Sequence, residues 1–395
     1  MMCLKKRGNM NLFWYHKSDS VLKLPERVLL IHPFGIGDAL FITPVIRTLK
    51  EHGVKQIGLL LGSRTRALFE NNPHINQIFE WDKSPVANMT QKWKRWRELG
   101  GLFVKLWKSN YQVVLDFSPT AQYAFVSWLF FWIPVRVGFN FKKRGFFLTH
   151  KVELSNGYVG KSVAEYYLGL IQFFRIEPVS KKTEFFLSDE DRTAAQAIFK
   201  KYNFTGGKSF LAVVPGGGES WGKDARLKRW PVKHFGKLIQ GLHQNYQDTF
   251  EGVFILGGQN EHFLGTELLQ EFSGIPAYNL CGSTPIQVAA ALIEKASLVV
   301  ANDGGLVHIA HAVGTPVIGI YGPVDPTVYG PYPPNLKVLT ISNQGPACRP
   351  CYQRFRYQAD CKGVECLTHL AVNNVLDRIK STHFFDQLEV TSALK

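Results

Sequence analysis

The feature that most constrains the fold is a short motif: an apolar, β-branched run, then a glycine-rich turn, then a helix. Its clearest example is the segment 298–323, LVVANDGGLVHIAHAVGTPVIGIYGP. The run 298–301 has the composition of a buried parallel strand. Helical spacing of apolar residues continues to Val313, where Gly314 and Pro316 end the helix. Because a strand leads directly into a helix, the helix N-terminus is predicted at the carboxyl edge of a parallel sheet, where ligands bind.

The turn of this segment has the residues of an anion-binding loop. Gly304 and Gly305 lack Cβ atoms, so the backbone can approach a ligand closely. The free N–H groups of the first helical turn favour a phosphate. Asp303 either caps the helix or accepts a hydrogen bond from a sugar or ribose hydroxyl. A capped turn with helix-packing glycines is the alternative interpretation.

The same motif occurs near the start of the chain. The run 27–32, RVLLIH, is a predicted strand, and the turn 33–38, PFGIGD, leads into a helix predicted from Ala39 to about His52. Asp38 lies at the first helical turn, where a carboxylate is electrostatically favoured. It is either a helix-capping acid or a general base at the edge of the sheet.

Two further turns follow predicted strands in the second half of the chain. The strand 210–214 runs into the glycines 216–218, and the loop after them carries several cations, including Lys228, which suit either a polyanion or solvent. The strand 252–257 ends just before Glu261, which either caps the next helix or recognises ribose hydroxyls. The alternation of strands and helices in both halves predicts an α/β fold of two doubly wound, Rossmann-like domains facing each other across a cleft.

Length and charge agree with this organisation. At 395 residues the chain suits two domains. We expect a lead-in at 1–25, an N-terminal domain at 26–184, a C-terminal domain at 185–370, and a helical tail at 371–395. Lys and Arg outnumber Asp and Glu by 46 to 31, a net charge of +15. This excess indicates an anionic partner, which composition alone leaves open among nucleic acid, a phospholipid surface and a phosphorylated substrate.

Two apolar stretches bear on membrane contact. The longest, 124–135, is shorter than the roughly 20 residues that span a bilayer, so a cytoplasmic location is predicted. A helix over 121–132 is predicted to be buried. The basic, aromatic segment 91–109 either lies on an anionic membrane surface or packs on the sheet as a crossover helix.

The tail carries clustered cysteines. Cys348, Cys351, Cys361 and Cys366 form a C-x2-C-x9-C-x4-C pattern, which predicts a structural zinc or iron site, with reduced packing cysteines as the alternative. A helix over about 367–380 is predicted to reach back to the first domain. His308 and His311 are three residues apart on one helix and are interpreted as packing or phosphate-binding residues, with a shared metal as the alternative.

Four segments together resemble a known family. They are 34–51 (FGIGDALFITPVIRTLKE), 213–231 (VVPGGGESWGKDARLKRWP), 255–261 (ILGGQNE) and 302–326 (NDGGLVHIAHAVGTPVIGIYGPVDP). In order and spacing they are similar to bacterial glycosyltransferase family 9, the heptosyltransferases of lipopolysaccharide core assembly. The cysteine tail also resembles that of many members.

The resemblance implies a GT-B fold, in which the first domain holds the acceptor and the second chiefly holds the donor. Asp38 then stands where the family has its proposed catalytic base, and Lys228 where it has the lysine that stabilises the departing diphosphate. Glu261 takes the place of the acid that binds the nucleoside, and Asp303 that of the donor-sugar residue. The donor-binding set becomes Gly216, Gly217, Glu261, Asp303, Gly304, Gly305, Leu306 and His308, and Gly35 and Gly37 are assigned to the acceptor.

The activity implied by the resemblance is inverting transfer of a heptose from ADP-heptose to the phosphorylated lipid A–core of lipopolysaccharide. It implies no metal or cofactor for the chemistry. Peripheral contact with the inner membrane is expected and nucleic acid is not. One departure concerns Gly304, where the lipopolysaccharide enzymes commonly have Ser or Thr. The alternatives are a transferase for another nucleotide sugar or a protein acceptor, a GT-B epimerase, and a non-catalytic basic module that binds nucleic acid or membrane.

Overall fold

Two parallel sheets form the framework of the protein. The computed structural model describes residues 21–81, 89–204, 209–246, 250–272, 274–357, 361 and 363–393. Each sheet has six strands, and every strand pair within them is parallel. The inner strands are short apolar runs that are buried because helices cover the sheets, as the sequence predicts, and the strands at the sheet edges are only partly buried.

The first sheet has the order β3-β2-β1-β4-β5-β6. Its elements are β1 (Arg27–His32), α1 (Ile36–Leu40), α2 (Thr43–Glu51), β2 (Gln56–Leu61), α3 (Ser63–Arg66), β3 (Gln77–Glu80), α4 (Met89–Ser109), β4 (Val113–Asp116), α5 (Gln122–Leu129), β5 (Val135–Asn140), β6 (His150–Glu153) and α6 (Val163–Gly169), with 3₁₀ turns at Gly145–Phe147 and Leu170–Phe174.

The second sheet has the order β12-β11-β10-β7-β8-β9. Its elements are α7 (Asp189–Lys201), β7 (Leu211–Val214), α8 (Val232–Asn245), β8 (Val253–Ile255), α9 (His262–Leu269), β9 (Ala277–Asn279), α10 (Ile286–Lys295), β10 (Leu298–Asn302), α11 (Gly305–Val313), β11 (Val317–Tyr321), α12 (Pro326–Tyr329) and β12 (Val338–Ser342), with 3₁₀ segments at Glu219–Lys228 and Gln259–Glu261. A hairpin of β13 (Tyr352–Gln353) and β14 (Arg356–Tyr357) follows, and then α13 (Glu365–Thr368), α14 (Val372–Ser381) and α15 (Phe384–Ala393).

Both sheets reverse their strand order at one point, between β1 and β4 in the first and between β7 and β10 in the second. A crevice opens outside the carboxyl ends of the strands at such a point. Three of the four turns predicted to carry function follow β1, β7 and β10, which are strands at these points, and the fourth follows β8, the neighbour of β7. The fold therefore confirms the prediction of two Rossmann-like, doubly wound units.

The helix predicted from Ala39 to about His52 is in fact two helices, α1 and α2. Pro44 stands in the first turn of α2 and has no N–H to donate to the carbonyl of Leu40. The hydroxyl of Thr43 donates to that carbonyl instead, at 2.7 Å. The break after Leu40 leaves α1 as a short helix whose first turn carries Asp38.

A helix forms within the predicted range 121–132, over Gln122–Leu129, but the prediction that it is buried is wrong. Tyr123 is buried, but the chain leaves the helix after Leu129, and Trp128 and Leu129 are each 42% exposed. Trp132 is 71% exposed. The physical reason is that the sheet covers only one side of a crossover helix, and apolar composition does not determine whether anything covers the other side.

The prediction that the last helix reaches back to the first domain is also wrong. Helix α14 packs on α8 of the second domain, and Val375 and Ile379 belong to the hydrophobic core there. The rings of Tyr246 and Phe385 contact each other at a centroid distance of 4.1 Å, which holds α15 against the end of α8. None of the helices in the described ranges is both long enough and apolar enough to cross a membrane.

Candidate active site

A cleft of about 870 Å³ lies between the carboxyl edges of the two sheets. Its walls come from the turns after β1, β2, β7, β8 and β10, and therefore from both domains. Most of the residues that the sequence singles out line it: Gly35, Gly37, Asp38, Gly216, Lys228, Glu261, Asp303, Gly304, Gly305, Leu306 and His308. Gly217 is not in the lining and lies directly behind it, against the 3₁₀ segment that ends at Lys228.

Helices α1 and α11 meet across this cleft through glycines. A Cβ at Gly37 would overlap the ring of His308, and a Cβ at Gly305 would overlap the side chain of Ile36. The rings of Phe41 and His308 meet edge to face at a centroid distance of 5.0 Å. The two glycines therefore allow the N-terminal turns of both helices to lie side by side, and this brings Asp38 close to the turn that carries Asp303.

A buried ion pair lies at the centre of the second-domain wall. Lys228 Nζ lies 2.7 Å from Asp303 Oδ2, and each side chain is only 5% exposed. The amide of Asn302 holds the two strand ends together, because it accepts a hydrogen bond from the backbone N–H of Trp230 at 3.1 Å and donates one to the carbonyl of Pro215 at 2.8 Å. The hydrogen bonds of Asn302 to backbone groups thus hold the loop that carries Lys228 next to the strand end that carries Asp303.

Asp38 faces this ion pair from the first domain. Burial raises the pKa of Asp38 from its ordinary 3.8 to about 6, Lys228 opposes the rise, and Asp303 adds to it. A carboxylate with a pKa near 6 is ionised at pH 7 and is a stronger base than an exposed aspartate. A raised pKa that is caused by burial beside a specific charge partner is a feature of catalytic carboxyls.

The transfer rate is expected to depend on this ionisation. If Asp38 must be unprotonated, kcat/KM rises with pH through about 6 and levels above it, because only the carboxylate accepts a proton. The free energy of unfolding has the opposite trend. Since the folded state binds the proton more tightly, the contribution of Asp38 to stability is present below pH 3.8 and is lost as the pH rises through about 6. Initial rates and urea unfolding across this range measure both, and a rate profile flat through pH 6 contradicts the assignment.

Glu261 ties two glycine turns together. Its Oε1 accepts a hydrogen bond from the N–H of Gly218, and its Oε2 accepts one from the N–H of Gly258, both at 3.0 Å. A Cβ at Gly216 would overlap the same carboxylate, so this position accommodates only glycine without a shift. Each carboxylate oxygen keeps a second lone pair, so Glu261 caps a turn and still has acceptor capacity toward the cleft. The two interpretations of this residue are therefore compatible.

The glycines differ in how much space surrounds them. At Gly304 the backbone is extended and a Cβ would have no neighbour closer than 3.8 Å, whereas a Cβ at Gly217 would overlap the backbone carbonyl of Ala225. Gly304→Ser is therefore expected to change the free energy of unfolding by no more than about 0.5 kcal/mol, since serine is a favourable N-cap for α11. Gly217→Ser is expected to cost about 1–3 kcal/mol. Urea denaturation of the ligand-free protein measures both changes. Equal losses for the two variants would contradict the expectation, because they would show that the loop at Gly217 can shift to make room for a side chain.

Both histidines of α11 are neutral. Burial, with His311 and Lys228 adding to its effect, lowers the pKa of His308 to about 3. Burial likewise lowers the pKa of His311 to about 4. In the part of the chain that the structure describes, no group of three or more His, Cys, Asp or Glu side chains is arranged to hold a metal ion. A metal shared by the two histidines is therefore not supported.

The four cysteines of the tail are the residues predicted to hold zinc or iron. Cys348 is exposed, Cys361 is half-buried, and Cys351 and Cys366 are buried, so the four thiols lie at different depths and do not converge on a metal-binding group. They are close enough to affect one another: burial, together with Cys348 and Cys361, raises the pKa of Cys351. Burial raises the pKa of Cys366 to about 11. The predicted zinc or iron site is not supported, and the buried Cys351 and Cys366 fit the alternative of packing cysteines.

Several lining residues were not singled out from the sequence. They are Arg64, Trp81, Tyr123, Tyr329 and Tyr352. Arg64 follows the apolar run of β2, and this position was a signal for it, because the carboxyl end of β2 lies next to that of β1. The aromatic residues had no such signal, since they come from distant parts of the chain.

Tyr352 is placed by the hairpin β13–β14, which crosses to the first domain. Its two turn residues, Arg354 and Phe355, have φ values of 51° and 64°, a left-handed conformation that is costly for residues with side chains. Packing offsets this cost, since the Phe355 ring lies 4.9 Å from Phe141 and 5.1 Å from Tyr158. The cysteine-bearing segment thus bridges both domains beside the cleft.

Two Rossmann-like units share a cleft, glycine turns stand at both switch points, and a carboxylate faces a buried lysine, and together these features define the architecture of a GT-B enzyme. The chain belongs to glycosyltransferase family 9. The model of that family, glycosyltransferase family 9 (heptosyltransferase), matches residues 100–357, more than half of the chain. This confirms the resemblance seen in the sequence.

Individual proteins that are similar to this chain are named heptosyltransferases. Lipopolysaccharide heptosyltransferase 2 of Escherichia coli K12 is 22% identical over 328 residues, which cover 80% of this chain and 88% of the relative. A shorter match to the protein of the same name in Salmonella typhimurium is 31% identical over 118 residues and spans 29% of this chain and 32% of that relative. The solved structure of E. coli ADP-heptose lipopolysaccharide heptosyltransferase II has a TM-score of 0.66 at 20% identity and covers 91% of this chain and 99% of that structure. That likeness confirms the GT-B fold.

Proposed function

We propose that this glycosyltransferase moves a heptose from ADP-heptose to the phosphorylated inner core of lipopolysaccharide with inversion of the anomeric centre. The observation that carries the proposal is Asp38, with its pKa raised to about 6, facing the buried pair Lys228–Asp303 across a cleft between two domains. The names of the relatives support the choice of heptose, of ADP and of a lipopolysaccharide acceptor.

The proposed reaction is a single displacement. Asp38 accepts the proton of the acceptor hydroxyl, and the hydroxyl oxygen forms a bond to the anomeric carbon. At the same time the bond from that carbon to the phosphate oxygen breaks, and its electron pair leaves on the diphosphate. Because the oxygen attacks from the face opposite the leaving group, the configuration inverts.

Several groups proposed to bind the donor direct positive charge or N–H groups at its diphosphate. The N-terminal turn of α11 presents the backbone N–H groups of Gly305 and Leu306, where an anion is favoured. The ammonium of Lys228 stabilises the charge that develops on the leaving diphosphate. Neutral His308 is proposed to donate one ring N–H to a phosphate oxygen, and Glu261 to accept a bond from the ribose.

The proposed site of action is the cytoplasmic face of the inner membrane. An acceptor that carries phosphates and is anchored in a bilayer suits a protein with a net charge of +15, because anionic lipids and phosphates attract a cationic surface.

The test is a comparison of nucleotide sugars. Thermal unfolding is measured with ADP-heptose and with UDP- and GDP-sugars, since a ligand that binds only the folded state raises the midpoint, and by more the further its concentration exceeds its Kd. Transfer is then measured with a truncated lipopolysaccharide acceptor and with a protein acceptor. Stabilisation and transfer only with ADP-heptose and the lipid acceptor support the proposal. Stabilisation by a UDP- or GDP-sugar, or transfer only to protein, overturns the donor or the acceptor assignment respectively.

A further inference from the structure

The first domain exposes a group of large apolar side chains that we call the aromatic surface. Its members come from the second half of α4, from α5 and the loop after it, and from the 3₁₀ turn Gly145–Phe147. Their exposed fractions range from 42% to 71%: Val104, Trp107, Trp128, Leu129, Phe130, Trp132 and Phe146. Apolar side chains exposed singly are ordinary, but a contiguous group of this kind marks an interaction site.

Ring contacts show that the group is contiguous. Trp128 stacks on Phe147 at a centroid distance of 5.8 Å, and Phe147 contacts Phe146 at 6.1 Å. On the other side, Phe130 contacts Phe103 of α4 at 5.4 Å. Trp107 lies one helical turn beyond Phe103, so it continues the same face of α4. One surface therefore runs from the 3₁₀ turn across α5 to the end of α4.

The exposed charges on the segments that form this surface are mostly positive. Between residues 99 and 152 the sequence has a single acidic residue, Asp116, and that residue is only 1% exposed. The exposed cations in the same stretch are Lys105 and Lys108 on α4, and Lys142, Lys143 and Arg144 just before the 3₁₀ turn. The aromatic surface is thus accompanied by an excess of positive charge, since the nearest exposed acids along the chain are Glu98 and Glu153, one beyond each end of this stretch.

We propose that the aromatic surface docks on a bilayer that contains anionic phospholipids. Tryptophan and phenylalanine rings insert at the boundary between head groups and acyl chains, and lysine and arginine remain with the phosphates. A second copy of the chain fits less well. A two-fold interface would bring the same cations of both copies together, and like charges oppose association.

The position of the surface fits an acceptor that is held in the same bilayer. Tyr123, near the start of α5, lines the cleft, and Trp128 and Leu129 lie at the other end of that helix. An eight-residue helix is about 12 Å long, so docking through the aromatic surface places the cleft about one short helix away from the lipid. This link to the cleft rests on the proposed function, whereas the docking itself needs neither donor nor acceptor.

Flotation with lipid vesicles tests the docking. The full chain is mixed with vesicles of phosphatidylcholine alone or of phosphatidylcholine with phosphatidylglycerol, in the absence of any sugar substrate. We expect binding to the anionic vesicles only, and binding about tenfold weaker or less for the double variant Trp107→Ser/Trp132→Ser. Changing Lys142, Lys143 and Arg144 to Gln is expected to remove most of the salt dependence of binding.

The matched control is Phe263→Ser/Leu336→Ser in the second domain, which removes two apolar side chains that are 55% and 61% exposed. We expect this control to bind vesicles as the unaltered protein does and both double variants to keep the same thermal midpoint. Absence of vesicle binding by the unaltered protein, or equal binding by both double variants, overturns the proposal. If the tryptophan variant instead converts a dimer to a monomer in light scattering and still binds vesicles, the surface is a contact between copies. Because no sugar is present, each result is independent of the transfer assay.

Discussion

Asp38→Asn is expected to lower the rate of sugar transfer by about 10³-fold while the donor affinity stays within about threefold. The amide has nearly the shape of the carboxyl but cannot accept the proton of the acceptor hydroxyl. Burial raises the pKa of Asp38 to about 6, which suits the proposed role of its carboxylate as a base at pH 7. Steady-state rates give the loss in kcat, and calorimetric titration with the donor or ADP gives the affinity.

Two controls separate this result from a general disturbance of the site. Asp325→Asn changes an aspartate that caps α12 through a hydrogen bond to the N–H of Thr327 and does not line the cleft, so transfer is expected to be unchanged. The residual activity of Asp38→Asn is expected to lose its dependence on pH near 6. Turnover close to that of the unaltered enzyme, or a loss of donor binding equal to the loss of rate, would sink the base assignment.

Lys228→Met is expected to damage both stability and transfer. The side chain is 5% exposed and lies 2.7 Å from Asp303 Oδ2, so its removal leaves a carboxylate buried beside neutral methionine. Breaking a buried ion pair on one side costs about 3–5 kcal/mol in the free energy of unfolding. Transfer is expected to fall by about 10²–10³-fold, because no ammonium remains to stabilise the charge of the departing diphosphate. Urea unfolding and initial rates measure the two losses.

A second change distinguishes the two roles of this lysine. Lys228→Met/Asp303→Leu removes both charges and is expected to recover most of the stability, since an apolar pair of similar volume replaces the ion pair. It is expected to recover none of the transfer activity. The matched control is Lys233→Met on α8, an exposed lysine outside the cleft lining, for which both measurements are expected to be unchanged. Full activity of the double change would show that Lys228 serves only to neutralise Asp303.

Several local features of the fold were accessible from residue patterns, and others were not. The parallel strands and the glycine turns have short-range signals, because a strand buried on both faces is a continuous apolar run and a close backbone approach needs glycine. The break between α1 and α2 also had a signal in Pro44, which the apolar periodicity of the segment obscured. Pattern alone could not indicate that Trp128 and Trp132 are exposed, because exposure depends on what packs over a helix.

The cysteines and the last helices show the same limit. The spacing of Cys348, Cys351, Cys361 and Cys366 is compatible with a metal site, yet the hairpin between them reaches across to Phe141 and Tyr158, and the thiols lie at different depths. A helix over 367–380 is amphipathic wherever it packs, and only the three-dimensional arrangement shows that its apolar side faces α8.

The sequence by itself determined the two doubly wound units, their family, and the presence of the strand, turn and helix at 298–323. Only the tertiary structure decided what that turn faces. Gly305 and Gly37 let α11 and α1 lie side by side across the cleft, and Asn302 fixes the loop that carries Lys228 beside Asp303. The physical reason is how far apart along the chain the residues that determine each feature lie. The residues that form a turn are adjacent in the sequence, whereas the raised pKa of Asp38 comes from burial and from the charge of Asp303, which lies far from it along the chain.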